Sequence, residues 1–222
     1  PPAARRSADC ATATQTDVTL SCAIEPWNAE NYLAGKILGS SISEIAWRRL
    51  REKAGVTYGA YAMNRSLPGG ANSLYISGLF QNNAAEFAIS TYLDLIDLGI
   101  SGKIDESVIA TAKWSRARET VLAQQSSNQM LGYLTAAVSS GRGLEFLDKQ
   151  PQLLADVNQE GLAAMLAPCA GHETITVLGP LEYSEPAVKA LGLPYEVVDW
   201  DLLHQAQLTE KELVKHLKKK YR

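Results

Sequence analysis

The apolar residues of the chain fall into segments with two-residue spacing, typical of strands, and segments with helical spacing. Strand spacing is clear at Val18, Leu20 and Cys22, and helical spacing is clear at Phe87, Leu93 and Ile96. Gly39-Ser40-Ser41 predicts a break between the first two helices. The predicted strands are 17–24, 58–65, 74–80, 173–178 and 195–199, and the predicted helices are 28–38, 43–53, 84–98, 105–125, 128–139, 153–166 (with a break near Asn158) and 185–191.

This order of elements predicts the fold class. Strands come in pairs and helices come in runs, whereas a doubly wound fold needs strict alternation of strand and helix. We therefore expect an α+β fold: a mainly antiparallel sheet with helices packed on one face. We expect residues 17–207 to form one domain, residues 1–16 to be a leader or a linker to a missing upstream domain, and residues 208–222 to be a basic helical tail. A start at Pro1-Pro2 without Met also indicates a piece of a longer chain.

Composition and charge exclude some classes of function. Of the 222 residues, 46% are hydrophobic and 20% are charged, which is ordinary for a globular domain. The net charge is −3; the segment 208–222 carries six Lys or Arg against two Glu, so the rest of the chain stands at −7. This balance gives no reason to expect nucleic-acid binding. No apolar run approaches the roughly 20 residues of a membrane span.

The sequence contains no recognisable metal or nucleophile motif. The histidines are His172, His204 and His216, and none of them has the spacing of His-x-x-Glu-His. His172 and Glu173 open a strand, where neighbouring side chains point to opposite faces. No Gly-x-Ser-x-Gly is present. We therefore expect no metal site and no catalytic residue in this chain by itself.

Cysteine is sparse, and two interpretations of it stay open. Cys10 and Cys22 pair if the segment between them folds back as a hairpin, which would indicate an oxidising compartment. The simpler interpretation is that Cys10, Cys22 and Cys169 are buried free thiols, because no Cys-x-x-Cys is present.

A helix-to-strand corner draws attention at residues 50–61, LREKAGVTYGAY. Leu50 to Lys53 has the cations of a last helical turn. Gly55 is suited to end that helix, and a strand-forming run starts at Val56. The corner therefore brings Arg51 and Tyr58 together, whereas Tyr61, an odd number of residues further on, is expected on the other side of the strand.

The segment 37–62, ILGSSISEIAWRRLREKAGVTYGAYA, resembles the second, non-zinc domain of a zinc-peptidase family. That family includes pitrilysin, insulin-degrading enzyme and the mitochondrial processing peptidase. The resemblance continues through GKIDESVIATAKWSRAR and ETITVLGPLEYSEPAVKALGLPYEVVDWD, so that it covers nearly all of residues 15–201. One departure is Ser43-Glu44-Ile45, where the family pattern has Ser-Arg-Leu.

The resemblance implies one half of a clamshell peptidase. The other half, with His-x-x-Glu-His, supplies zinc and the attacking water. The positions of Arg51 and Tyr58 match the arginine and tyrosine with which the non-zinc half contacts the peptide. A guanidinium can hold substrate carbonyls with a fork of donors, and a phenol can donate to the oxyanion of the transition state.

Two functions follow from the resemblance. In the first, the chain is the non-catalytic C-terminal half of a zinc metalloendopeptidase; it closes the proteolytic chamber and pairs with a zinc-bearing domain in cis or a subunit in trans. In the second, it is an inactive structural or assembly module of the same fold. For the location we expect a bacterial periplasm or cell envelope, chiefly because of the possible pair between Cys10 and Cys22.

Overall fold

A computed structural model of the protein describes residues 4–9, 13–67, 71–192 and 195–198. The expected helical tail at 208–222 and the residue Cys10 lie outside these ranges, as do His204 and His216. None of the helices in the described ranges has the length and apolar character needed to cross a membrane.

Six strands of the described residues form one sheet in the order β3-β4-β2-β5-β1-β6. The pairs β3–β4, β4–β2 and β2–β5 are antiparallel, and β1 is parallel to both β5 and β6. The strands are β1 Ala4–Asp9, β2 Gln15–Ala23, β3 Thr57–Ser66, β4 Asn72–Gln81, β5 Thr174–Gly179 and β6 Glu196–Val198.

The helices cover one face of this sheet. The core lies between the two layers, where Val18 and Leu20 of β2 and Ile37 of α1 are almost completely buried. On the other face Tyr61 and Leu79 are exposed. The helices are α1 Tyr32–Ala46, continued by a π-helix at Trp47–Lys53, α2 Ala85–Ile100, α3 Glu106–Ala123, α4 Ser127–Ser139, α5 Glu145–Asp156, α6 Gln159–Leu166 and α7 Leu181–Lys189, with short 3₁₀ turns at Asn82–Ala84 and Ala167–Cys169. The predicted α+β class is confirmed.

The predicted break at Gly39 is wrong, because α1 runs through it. A Cβ atom at Gly39 would lie 2.8 Å from the backbone nitrogen of Asn64 and 3.2 Å from the Cα of Met63. The glycine is therefore needed where α1 passes close to β3. It is a packing residue of a continuous helix.

Sequence patterns also missed two elements. The segment Ala4–Asp9, assigned to the leader, forms strand β1 between β5 and β6. Its sequence ARRSAD has few strand-forming residues, and its partners are far along the chain. Helix α5 begins at Glu145, earlier than predicted, although Pro151 lies inside it; Phe146 and Leu154 are buried on either side of the proline.

Both interpretations of the cysteines are wrong. Cys22 of β2 and Cys169 of the 3₁₀ turn after α6 form a disulfide, with a Cα–Cα distance of 5.2 Å. The two residues are 147 positions apart in sequence, so no local pattern indicated the pair. The bond is buried and joins the sheet to the helical layer.

Candidate functional site

The π-helix Trp47–Lys53 positions Arg51. This helix continues α1 with wider turns: the N–H of Ala54 donates to the carbonyl of Arg49 at 3.2 Å and also bonds to that of Arg51. Leu50 is fully buried and anchors the helix to the core. Arg51 and its neighbours Glu52 and Lys53 are exposed. Short π-helical segments are rare and occur frequently at functional sites.

A β-bulge positions Tyr58. Thr57 pairs with Phe80 and Gly59 pairs with Leu79, which leaves Tyr58 as an extra residue in β3 without a partner in β4. The side-chain hydroxyl of Thr57 stabilises the bulge by accepting from the N–H of Gly59 at 3.0 Å. The Tyr58 side chain is 83% exposed. Bulges commonly redirect a side chain in this way.

The two elements meet through the guanidinium of Arg51. Its Nη1 donates to the backbone carbonyl of Tyr58. Its Cζ also lies 4.4 Å from the centre of the Trp47 ring, which is a cation–π distance. Arg51 is therefore held between a ring and the backbone carbonyl of Tyr58, whose side chain is exposed. We call Trp47, Arg51 and Tyr58 the corner.

The structure brings together Arg51 and Tyr58, the two predicted site residues, whereas sequence reasoning did not single out Trp47. The signal was present, because Trp47 precedes Arg51 by four residues and residues at this spacing lie on the same side of a helix. The orientation predicted for Tyr61 is wrong. The bulge shifts the alternation of β3, so that Thr57 and Ala60 are both buried while Tyr58 and Tyr61 are both exposed. Tyr61 lies over the sheet with its ring centre 6.5 Å from that of Tyr75.

The described residues contain no group of three or more His, Cys, Asp or Glu side chains placed to bind a metal ion. The chemistry that the corner offers is hydrogen-bond donation from a guanidinium and a phenol to an extended peptide or another oxygen-rich ligand.

Comparison with solved structures identifies the fold. The inactive domain of an M16 peptidase from Pseudomonas fluorescens superposes with a TM-score of 0.69 and 18% identity, over 81% of this chain and 44% of that one. The fold is that of the M16-like peptidases. The periplasmic protease PqqL from Escherichia coli superposes with a TM-score of 0.68 and 14% identity, over 81% of this chain and 21% of that one. Pitrilysin superposes with a TM-score of 0.59 and 11% identity, over 90% of this chain and 22% of that one.

The chain spans less than half the length of each of these three structures. No protein-family model and no curated protein matches the sequence. The resemblance noted in the sequence is therefore confirmed for the fold, including its likeness to an inactive peptidase domain.

Proposed function

We propose that this chain is the non-catalytic half of a zinc metalloendopeptidase. In this role it closes the proteolytic chamber and contacts the peptide, while a separate domain with His-x-x-Glu-His supplies the zinc. The corner carries the proposal: a stacked, exposed arginine bonds to the backbone of an exposed tyrosine, on a fold shared with inactive peptidase domains. The partner domain lies either in the same polypeptide or in a second subunit.

The free donors of the corner suit this task. A guanidinium has five N–H groups, and only the bond from Nη1 to the Tyr58 carbonyl occupies Arg51 among the described residues. The remaining donors can hold peptide carbonyls in a fork. The Tyr58 hydroxyl can donate to the oxyanion that forms when zinc-bound hydroxide attacks the peptide carbonyl.

We also propose that the protein works in a bacterial envelope. The buried disulfide between Cys22 and Cys169 is the type of bond that persists in oxidising compartments. The similarity in fold between this chain and a periplasmic protease agrees with this location.

The test is kinetics on the complete enzyme, or on this chain reconstituted with its zinc-bearing partner. Tyr58→Phe removes the hydroxyl and keeps the ring, so kcat should fall by about 10²–10³-fold with a smaller change in KM. Tyr61→Phe is the matched control, because it removes a hydroxyl from a neighbouring exposed tyrosine of the same strand. This chain without its partner should cleave no peptide and contain no stoichiometric zinc.

Two results would contradict the proposal. If Tyr58→Phe and Tyr61→Phe both retain wild-type kcat/KM, the corner does not contact the transition state. If the complete assembly contains no zinc and cleaves no peptide, the chain is instead a structural or assembly module of this fold.

A further inference from the structure

Three basic side chains from different parts of the chain lie near one another, and two of them contact the ring of Tyr32. They are Lys36 of α1, Arg116 of α3, and Arg142 of the connection between α4 and α5; we call them the cation cluster. Each of the three is partly buried. They belong to the helical layer, and none of them takes part in the corner.

The rings of Tyr32 and Phe146 hold two of these cations. The Cζ of Arg142 lies 3.9 Å from the ring centre of Tyr32 and 4.8 Å from that of Phe146. The Nζ of Lys36 lies 5.4 Å from the ring centre of Tyr32. The two rings pack edge to face, with their centres 5.7 Å apart. Two positive charges therefore share one ring in a fixed arrangement.

The hydrogen bonds of the cluster use few of its donors. The Nζ of Lys36 donates to the carbonyl of Asn64 at 3.0 Å, and the Nε of Arg142 donates to the hydroxyl of Ser140 at 2.8 Å. Arg116 donates from Nη1 to Glu119 at 2.7 Å, and the Glu119 side chain is 58% exposed. This is the one ion pair that the described residues supply to the three cations.

Two buried polar atoms beside the cluster have no hydrogen-bond partner among the described residues. They are the Nε of Arg116, a donor that an oxyanion could satisfy, and the Oε1 of Gln150, an acceptor that an oxyanion could not satisfy. The amide nitrogen of Gln150 donates to the hydroxyls of Thr120 and Tyr133, at 3.0 and 2.9 Å, which fixes its orientation. A buried guanidinium nitrogen without an acceptor is costly unless a ligand supplies one.

The charges of the cluster repel one another. Burial lowers the pKa of Lys36, and the positive charges of Arg116 and Arg142 lower it further. Partly buried charges normally have a counter-ion nearby. With Glu119 as its paired carboxylate, the cluster retains excess positive charge. An anion would offset this charge and use the free donors.

We propose that Lys36, Arg116 and Arg142 bind an oxyanion, a phosphate or a carboxylate group, between α1, α3 and the start of α5. Guanidinium groups recognise both kinds of group through paired hydrogen bonds. The Nε of Arg116 is buried and unpaired among the described residues, and Lys36 and Arg142 keep unused donors.

The experiment measures thermal unfolding of the protein in increasing inorganic phosphate, with chloride lowered to keep ionic strength constant. A ligand that binds only the folded state at 100 times its Kd should raise the Tm of a chain of this size by about 5–10 °C. Succinate in place of phosphate distinguishes a carboxylate ligand from a phosphate ligand. A saturable rise with either anion supports the proposal.

Matched variants locate the binding site. Lys36→Met removes one charge of the cluster and keeps the apolar stem, so the saturable rise should be reduced at least severalfold. Lys113→Met is the control, because the Nζ of Lys113 also donates to a backbone carbonyl, that of Ala155, at 2.9 Å but towards the end of α5. The proposal is overturned if wild type shows no saturable rise with either anion. It is also overturned if Lys36→Met and Lys113→Met respond equally.

Discussion

Arg51 and Arg142 are both stacked on an aromatic ring, but the two arginines have opposite surroundings. Arg51 lies 4.4 Å from the ring centre of Trp47 on the open side of the molecule, where its donors face solvent. Arg142 lies 3.9 Å from the ring centre of Tyr32 within the helical layer, beside two more cations. The same kind of pairwise contact therefore has an exposed setting at Arg51 and a crowded, partly buried setting at Arg142.

This difference in exposure determines what stabilises the charge of each arginine. Water solvates the charge of Arg51, so the stack and the bond to the Tyr58 carbonyl can orient the guanidinium without a counter-ion. Such a group can meet and release a peptide. The charge of Arg142 has lost part of its solvation and is repelled by its neighbours, so it is stabilised by a bound anion. We therefore expect variants of the corner to change activity, and variants of the cluster to change stability and its dependence on anions.

The largest expected effect is a loss of stability when the disulfide of the shared fold is removed. The disulfide joins β2 to the turn after α6 and closes a loop of 147 residues. Cys22→Ala combined with Cys169→Ala should lower the free energy of unfolding by about 2–5 kcal/mol. Urea unfolding without reductant measures this loss. Wild-type protein, denatured without reductant, should show one reactive thiol; three would contradict the disulfide.

The second prediction separates orientation from stability at the corner. Arg51→Lys keeps the charge and loses the fork and the planar stack, so kcat/KM of the complete enzyme should fall by about 10–100-fold. The free energy of unfolding should stay within about 0.5 kcal/mol of wild type, because the side chain is exposed. Arg48→Lys is the control: it is also exposed and pairs with Glu44 at 2.7 Å.

An Arg51→Lys variant with full activity and a clear loss of stability would contradict this assignment. Arg51 would then act as a clamp between the π-helix and β3. The functional distinction between the exposed Arg51 and the partly buried Arg142 would then fail.

The meeting of Arg51 with Tyr58 could be predicted from sequence because the two residues are close along the chain. The helix end, Gly55 and the strand at Thr57 lie within a few residues, and the family resemblance rests on the same stretch. The π-helix and the bulge at Tyr58 could not be predicted, since each changes the local spacing by one residue while the hydrophobic pattern stays nearly the same. The bulge at Tyr58 explains the wrong orientation predicted for Tyr61.

The cation cluster and the disulfide were not predicted, because distant segments form them. Lys36, Arg116 and Arg142 are ordinary surface-type residues in the sequence, and only the packing of α1, α3 and α5 brings them together. Cys22 and Cys169 are brought together in the same way. Strand β1 depends on pairing with β5. In this pairing Ala4 lies opposite Thr174, more than 160 positions further along the chain.

The third prediction tests the contact between α1 and β3, on which both regions depend. The β3 strand carries Tyr58, and the Asn64 carbonyl accepts from Lys36. Gly39→Ala would place a methyl group 2.8 Å from the Asn64 nitrogen, so unfolding should become easier by about 1–3 kcal/mol. Gly132→Ala is the control, because its Cβ would meet nothing within 4 Å. It should stabilise α4 by about 0.5–1 kcal/mol. Equal effects in urea unfolding would rule out the close contact.

The smallest effect is a pH dependence of the cluster. The pKa of Lys36 is lowered in the folded state by burial and by Arg116 and Arg142, so between that pKa and the ordinary value of 10.5 the unfolded chain binds more protons than the folded one. The free energy of unfolding should therefore rise with pH in this window. The destabilisation by charged Lys36 is fully present below the lowered pKa and is lost as the pH rises through it.

The measurement compares wild type with Lys36→Met by urea unfolding, in steps from about pH 7.5 up to about pH 10.5, the ordinary pKa of a lysine. Taking the difference between the two proteins removes the contribution of groups that titrate independently of Lys36. Without phosphate, wild type should gain stability relative to Lys36→Met as the pH rises. With saturating phosphate the gain should shrink, because a bound anion stabilises the ammonium and raises its pKa again. Parallel curves without phosphate over this whole range would show that neither burial nor the charges of Arg116 and Arg142 lower the pKa of Lys36, and the contrast with the exposed Arg51 would fail.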